Sequence, residues 1–278
     1  MLRLKDLSII LIATLAAALF LKAFVLDAVV IPSGSMQSTL LPGDFVIVNK
    51  LSYGSFGLQS SNTTAFIPFL SRLTDRQVRA GDVIFFKFPT SVKNTILKEN
   101  DILVKRCIAK SGDIVEIEHH KILVNEIRVG MIESEDHSDA YEPSDEFYPS
   151  NSCFSFQHYG PIRVPKKGDI LDLSKETYPQ WEQLIREEGH SISIDRTGDV
   201  YIDGSRKTYY IVQKNYLFVM GDNYYHSFDS RFWGFLPEEN VIGQAAFVYW
   251  SLNTKISDEG VGGIWKSIRW DRIGTLVH

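Results

Sequence analysis

The sequence predicts a mainly β, antiparallel protein preceded by one N-terminal transmembrane helix, and three observations carry that reading. A single apolar run near the N-terminus has about the 20 residues that a bilayer-spanning helix needs. After it, short β-branched segments recur between Pro-Gly and Gly-Asp turn pairs. Beyond the apolar run, only residues 177–188 carry a helical pattern.

Composition narrows the field. The chain has 278 residues, enough for one large domain with insertions or two smaller ones. A hydrophobic content of 44% with 23% charged residues describes a globular chain. A formal net charge of -5 argues against a nucleic acid partner, whose phosphates call for a basic surface. There is no Walker loop, dinucleotide fingerprint or metal-ligand spacing, so the sequence implies no cofactor and no metal. Cys107 and Cys153 form one disulfide or stand as two unrelated thiols.

Residues 1–6 are polar, and residues 7–26 form the predicted membrane anchor. Lys22 lies near one end, where its stem snorkels to the interface. Arg3 and Lys5 place the N-terminus in the cytoplasm by the positive-inside rule, so residues 27–278 lie on the far side of the membrane. The alternative is a cleaved signal peptide with Ala16-Ala17-Ala18 as its site. That triplet sits inside the apolar run and is followed by more Leu and Phe, which favours retention.

The remaining elements follow in order. Residues 44–49 read as a strand entered from Pro42-Gly43, and 52–79 as a long excursion carrying Phe56, Phe66, Phe69 and Leu70. This excursion either lies in the membrane interface or packs over the core. Residues 83–88 form a nearly continuous apolar strand closed by Pro89, and 101–109 a second one with a lysine at its centre. Residues 114–118 and 122–125 make a hairpin, and Gly-Asp pairs open further strands at 170–173 and 200–204, a loose internal echo. Glu133 to Glu146 is acidic and reads as a solvated loop. In 177–188, Thr177 and Gln180 suggest a capping box, Pro179 the first turn, and Trp181, Leu184 and Ile185 one apolar face. A second lobe is expected at about 130–210.

Chemistry is suggested first by Ile31-Pro32-Ser33-Gly34-Ser35-Met36, placed where the anchor surfaces. A serine hydroxyl is a weak nucleophile without an adjacent base. A buried lysine serves as one if its pKa falls toward neutrality. Lys105 is surrounded in sequence by Ile102, Leu103, Val104, Cys107 and Ile108. Strand alternation alone would send it to solvent, and its neighbour Arg106 must take the opposite direction. A third segment, Gly221 to Gly234, is a polar, turn-rich loop between apolar strands, with Asp229 and Arg231 spaced to pair.

These segments, in this order behind an anchor, resemble the conserved boxes of bacterial type I signal peptidases (leader peptidases). The resemblance rests on 31–36 with Thr39-Leu40, Gly81-Asp82, Lys105-Arg106 before Gly112-Asp113, and Gly221 to Pro237. It implies a barrel-like antiparallel β catalytic domain and a Ser/Lys dyad, and it overturns the solvent-facing default for Lys105. By this likeness Ser35 is the nucleophile and Lys105 the neutral general base. The Ser33 hydroxyl and the Ser35 backbone N–H form the oxyanion hole, and Ser227 orients the lysine. Asp229 and Arg231 support the loop, and Gly221 lets the backbone pass close to the site. Val29, Ile31, Met36, Leu40 and Val104 line the first substrate pocket, and Val46 and Phe85 the second. A bulky Phe85 there favours alanine over larger residues at the third position before the cut.

The implied activity is removal of signal peptides from secreted preproteins, whose extended cleavage region binds as an added strand. Secretory preproteins and membrane lipid are the expected partners, with no oligomer implied. Two departures from the family pattern stand out: Tyr224-Tyr225-His226 replaces a common Arg-Asp-Asn, and Ser38 stands where proline is common. None of the seven histidines matches a catalytic position of the family. Self-cleaving Ser/Lys repressors share the dyad but carry a DNA-binding domain where this chain has its anchor. A non-catalytic membrane-anchored β module would be expected to have lost Ser35 or Lys105, and both are present.

Overall fold

The computed structural model describes residues 4–53, 77–89, 101–119, 121–131, 147–150, 152–253 and 265–278. The acidic stretch 133–146 lies outside these residues, and so does most of the 52–79 excursion. Two compact units divide the chain. One contains Met1–Pro32, Pro42–Gln77 and Ile242–His278, and the other Ser33–Leu41 and Val78–Val241.

In the first unit, helix α1 runs over Leu4–Phe24. No helix among the described residues is long and apolar enough to cross a membrane, so the anchor expected over 7–26 is not shown. The helix also stops short of residue 26. Its exit is taken by strand β1 (Leu26–Val30), whose backbone pairs antiparallel with β2 (Asp44–Asn49) from Leu26↔Asn49 to Val30↔Phe45. Lys50 ties the exit down: its Nζ donates to Lys22 O at 3.2 Å and pairs with Asp27 at 2.8 Å. A cation at a helix C-terminus complements the exposed carbonyls there.

Strand β2 has the boundaries read from sequence, and its burial alternates as a half-buried strand should. Its other edge pairs with β16 (Val241–Ser251), which is bulged between Ala245 and Phe247 and between Val248 and Trp250. Asp44 opens β2 fully buried, a costly position for a carboxylate unless it is well partnered. It accepts from Ser251 Oγ at 2.7 Å, Arg269 Nη2 at 3.3 Å and Arg272 Nη2 at 2.6 Å. This cluster joins the start of β2, the end of β16 and the C-terminal segment.

In the second unit one antiparallel sheet has the strand order β3 (Val83–Lys87), β4 (Ile102–Lys110), β14 (Tyr216–Met220), β15 (Leu236–Pro237). All of β14 is buried, as are four of the five residues of β3. Both faces are therefore covered, which explains continuous apolar runs without alternation. A second sheet has the order β7 (Ile127–Met131), β6 (Lys121–Val124), β5 (Ile114–Glu118), β8 (His158–Arg163). It contains the expected hairpin and adds strands on both sides.

Smaller pairings follow, of β9 (Ile170–Asp172) with β13 (Tyr209–Ile211), and of β10 (Ile192–Ile194) with β11 (Val200–Ile202) and β12 (Ser205–Arg206). Residues 130–210, the expected second lobe, thus fall in the same unit as β3 and β4.

The internal echo of Gly-Asp pairs has a local cause. Gly81, Gly112 and Gly168 all take a positive φ between 91° and 95°, where a side chain would be strained. In each case the following aspartate accepts the backbone N–H three residues back at 2.9 Å: Asp82 from Arg79, Asp113 from Lys110, Asp169 from Lys166. At these three pairs the repeat is one turn reused, not a repeated fold unit; Gly198 shares the positive φ, but there Asp199 N donates to the Asp195 carboxylate.

Helix α2 (Tyr178–Glu187) buries Leu184 and Ile185 as expected. The capping box is not formed. Thr177 has no side-chain cap bond: its hydroxyl oxygen accepts from Ser174 N at 2.9 Å instead of from a helix N–H, while the hydroxyl donates to Asp172 O at 2.8 Å. Cys107 is buried, Cys153 is exposed, and both are free thiols.

Asp44→Ala leaves two arginines facing a buried hole, and breaking such a pair from one side costs about 3–5 kcal/mol when fully buried. Both arginines are partly exposed, so a loss of about 3 kcal/mol is expected, at the low end of that range. Urea unfolding followed by tryptophan fluorescence measures it. A loss under about 1 kcal/mol would mean that the cluster behaves as a surface pair.

Candidate active site

The serine segment folds as a tight turn held from below. Gln37 N donates to Gly34 O at 3.0 Å, and Thr39 N and Leu40 N donate to Met36 O at 2.8 and 2.6 Å. Met36 and Leu40 are fully buried, so they pin the turn while Ser33 stays exposed and Ser35 half-buried. The two serine hydroxyl oxygens lie 3.4 Å apart.

Lys105 sits in β4, opposite Ile84 of β3, with 4% of its surface exposed. Its Nζ lies 2.7 Å from Ser35 Oγ. Burial lowers its pKa from 10.5 to about 8; Asp229 and Asp222 pull upward, and Arg231 pulls down. Strand alternation fails as a guide here because both faces of β4 are covered at Val104 and Lys105.

The loop after β14 closes the other side. Gly221 N donates to Asp229 Oδ2 at 3.0 Å. A Cβ on Gly221 would lie 2.5 Å from both Ser227 Cβ and Ser35 O, so only glycine fits this crossing. Asp229 also N-caps α3 (Ser230–Trp233) and pairs with Arg231 through Nε and Nη2, both at 2.8 Å. Both side chains are fully buried. Burial opposes the Arg231 charge, yet Asp229 more than offsets it and raises the guanidinium pKa. The guanidinium also donates to Tyr224 O at 2.6 Å and lies 4.0 Å over the Tyr224 ring, a cation–π contact.

The sequence left a second clamp unread. Arg106 holds Asp222 through Nε and Nη2, both at 2.7 Å, and also donates to Gly81 O at 2.7 Å. Thr39 Oγ1 donates to the same carboxylate at 2.5 Å. Asn223 then grips the serine turn, its N donating to Ser35 O and its Nδ2 to Gly34 O, both at 3.0 Å. Asp222 and Asn223 belong to the polar loop read from the sequence, but their partners Arg106 and Gly34 lie 116 and 189 residues away, and no local spacing points to them.

Not every expected contact is formed. Ser227 is buried beside Gly221, but its Oγ has no hydrogen-bond partner, so the lysine-orienting bond is absent. Among the residues expected to bind substrate, Val29, Ile31 and Val46 lie in the first unit, where Val29 pairs with Val46. Met36, Leu40, Phe85 and Val104 lie in the second, where Phe85 pairs with Val104. All except Val29 are buried. Among the described residues, no group of three or more His, Cys, Asp or Glu side chains is arranged to hold a metal ion.

Comparison with known proteins adds the following. The family model for "Signal peptidase, peptidase S26" matches residues 4–250. A signal peptidase I of Aquifex aeolicus is 32% identical over 244 residues, covering 84% of this chain and 80% of that protein. One from Buchnera aphidicola subsp. Acyrthosiphon pisum is 30% identical, covering 94% and 78%. One from Haemophilus influenzae is 28% identical, covering 95% and 73%. A solved signal peptidase I from Enterococcus faecalis V583 is 18% identical with a TM-score of 0.28, covering 61% of this chain and 97% of that one. That score is too low to carry an argument about the fold.

Gly221→Ala forces apart Ser227 and the Ser35 carbonyl, and overpacking of this kind costs about 1–3 kcal/mol. The variant is expected to unfold at lower denaturant concentration. An unchanged midpoint would mean that the loop absorbs the methyl group without strain.

Proposed function

The chain belongs to the signal peptidase (peptidase S26) family and is a serine peptidase, and we propose that it removes signal peptides from secreted preproteins with a Ser35/Lys105 dyad. One observation carries the dyad: a buried lysine amine 2.7 Å from a serine hydroxyl, with its pKa brought to about 8. In the neutral form the amine lone pair accepts the Ser35 proton as the oxygen attacks the scissile carbonyl. The ammonium so formed returns that proton to the departing amine. A water then attacks the acyl-enzyme, giving its proton to Lys105, which passes it to the departing Ser35 Oγ and so restores the neutral amine and the hydroxyl.

Charge developing on the carbonyl oxygen calls for donors beside the nucleophile. The Ser35 backbone N–H and the Ser33 hydroxyl, 3.4 Å from Ser35 Oγ, fill that role in this reading. Ser227, buried beside Gly221, is the lysine-orienting residue of this reading. The two clamps, Arg106 with Asp222 and Arg231 with Asp229, hold the loop. The substrate pockets are those expected from the resemblance, Val29, Ile31, Met36, Leu40 and Val104 for the first and Val46 and Phe85 for the second.

Residues 4–24 anchor the protein to the membrane in this proposal. Ile9, Ile10, Leu11 and Ile12 are each more than half exposed, as are Leu15 and Leu19. Four consecutive helical positions point in four directions, so the exposed surface is no single stripe that another element would cover. Lipid covers it instead, and the positive-inside rule sets residues 27–278 on the extracytoplasmic side.

The purified full chain in detergent is expected to cleave a preprotein, and Ser35→Ala and Lys105→Ala are each expected to abolish cleavage. Full activity in either variant ends the dyad reading. The pH profile gives a separate check. Because the neutral amine is the active form, kcat/KM should rise about tenfold per pH unit below about 8 and flatten above it. A rate flat from pH 6 to pH 9 would exclude Lys105 as the base. The same shift bears on stability. Between about 8 and the unfolded value near 10.5 the unfolded chain holds the extra proton, so the fold gains stability as pH rises through that window.

A further inference from the structure

We propose that His226 is a positioning residue for the serine turn, acting through Asn223. The inference rests on the reading of Ser35 as nucleophile. His226 stands in the Tyr224-Tyr225-His226 stretch, where this chain departs from the pattern of the family it resembles. Its ring Nδ1 lies 3.1 Å from Asn223 Oδ1, and its backbone N–H donates to Asn223 O at 3.0 Å. Asn223 in turn holds the turn at two points, Nδ2 to Gly34 O and N to Ser35 O.

The hydrogen-bond roles in this chain follow from its far end. Gly34 O is a carbonyl and only accepts, so Asn223 must present its NH2 group there. That fixes the amide and leaves Oδ1, which also only accepts, facing the histidine. His226 Nδ1 therefore carries a proton, in the neutral ring as in the charged one. The histidine thus adds a second hold on the amide orientation that Gly34 O sets. Without that donor the amide is held at one end only, and its grip on the segment that carries both serine hydroxyls loosens.

Such a role predicts a loss in turnover with little change in substrate affinity. A single exposed hydrogen bond is worth about 1 kcal/mol, which corresponds to a rate change of about fivefold. The full chain in detergent, assayed on a preprotein, should show kcat lowered about fivefold for His226→Ala with KM unchanged. His226→Asn, whose amide N–H also donates, should restore most of the rate. In an Asn223→Ala background, His226→Ala should cost nothing further, because the path through the Asn223 amide is gone.

In the neutral ring, 15N chemical shifts should report the Nδ1-protonated tautomer. The proposal is overturned by a wild-type kcat in His226→Ala, by losses at 223 and 226 that multiply, or by an Nε2-protonated neutral ring. If Ser35→Ala cleaves in the same assay, the nucleophile reading falls and takes this proposal with it. An inactive Ser35→Ala beside a fully active His226→Ala overturns the positioning role alone.

Discussion

The arrangement around the Ser35 segment depends on one contact, the buried Lys105 amine against the Ser35 hydroxyl at 2.7 Å. Burying an amine is unfavourable. A pKa brought from 10.5 to about 8 corresponds to about 3 kcal/mol of preference for the neutral form. That cost is sustained because the strands on either side of β4 are the most thoroughly buried of the sheet. Val83, Ile84, Phe85 and Phe86 on one side and Leu217 to Met220 on the other shed nearly all contact with water. The apolar runs of β3 and β14 thus serve stability through packing and the site through low polarity.

Burial alone would not hold the amine near neutrality, because two carboxylates lie close enough to favour its charged form. Asp229 and Asp222 both raise the Lys105 pKa. Each is bound by an arginine in a bidentate pair, Asp229 by Arg231 and Asp222 by Arg106. A neutralised carboxylate projects a weaker field, so the pairs restrain the lysine as well as the loop. Under the proposed mechanism, which calls for a neutral base, this gives two charged pairs a reason to sit beside Lys105. Buried pairs are poor stabilisers by themselves.

Much of this was legible in the sequence, and the limits are physical. Residues 44–49 and 114–118 were read with the boundaries the structure gives, because turn pairs fix their starts and alternation or β-branching their bodies. The Gly-Asp echo was visible for the same reason, being chemistry local to four residues. What the local pattern missed is set at long range. Arg106 meets Asp222 across 116 residues, and Thr39 meets it across 183, through strand register that no local pattern encodes. Thr177 misled in the opposite way. Its capping signal was sound, but Ser174 N, three residues back, donates to the Thr177 hydroxyl oxygen in place of a helix N–H. Lys105 itself was legible only through resemblance, since alternation would have sent it outward.

The loop also explains how this chain tolerates Tyr224-Tyr225 where charged residues are common in the family it resembles. Arg231 has no surface exposure, and one of its nitrogens, Nη1, has no hydrogen-bond partner. The aromatic rings take the place of water: Tyr224 at 4.0 Å, Phe156 at 5.4 Å and Phe232 at 5.5 Å from the guanidinium carbon. Ring faces are electron-rich and favour a cation, most strongly when it is stripped of water. Tyr224 is itself anchored by its hydroxyl, which donates to Phe156 O at 2.6 Å. Asp229 keeps Arg231 charged against burial while the rings pack around the guanidinium, and the paired Asp229 in turn projects a weaker field onto the Lys105 amine. The Tyr224 ring thus takes part in the electrostatics of the loop without carrying a charge.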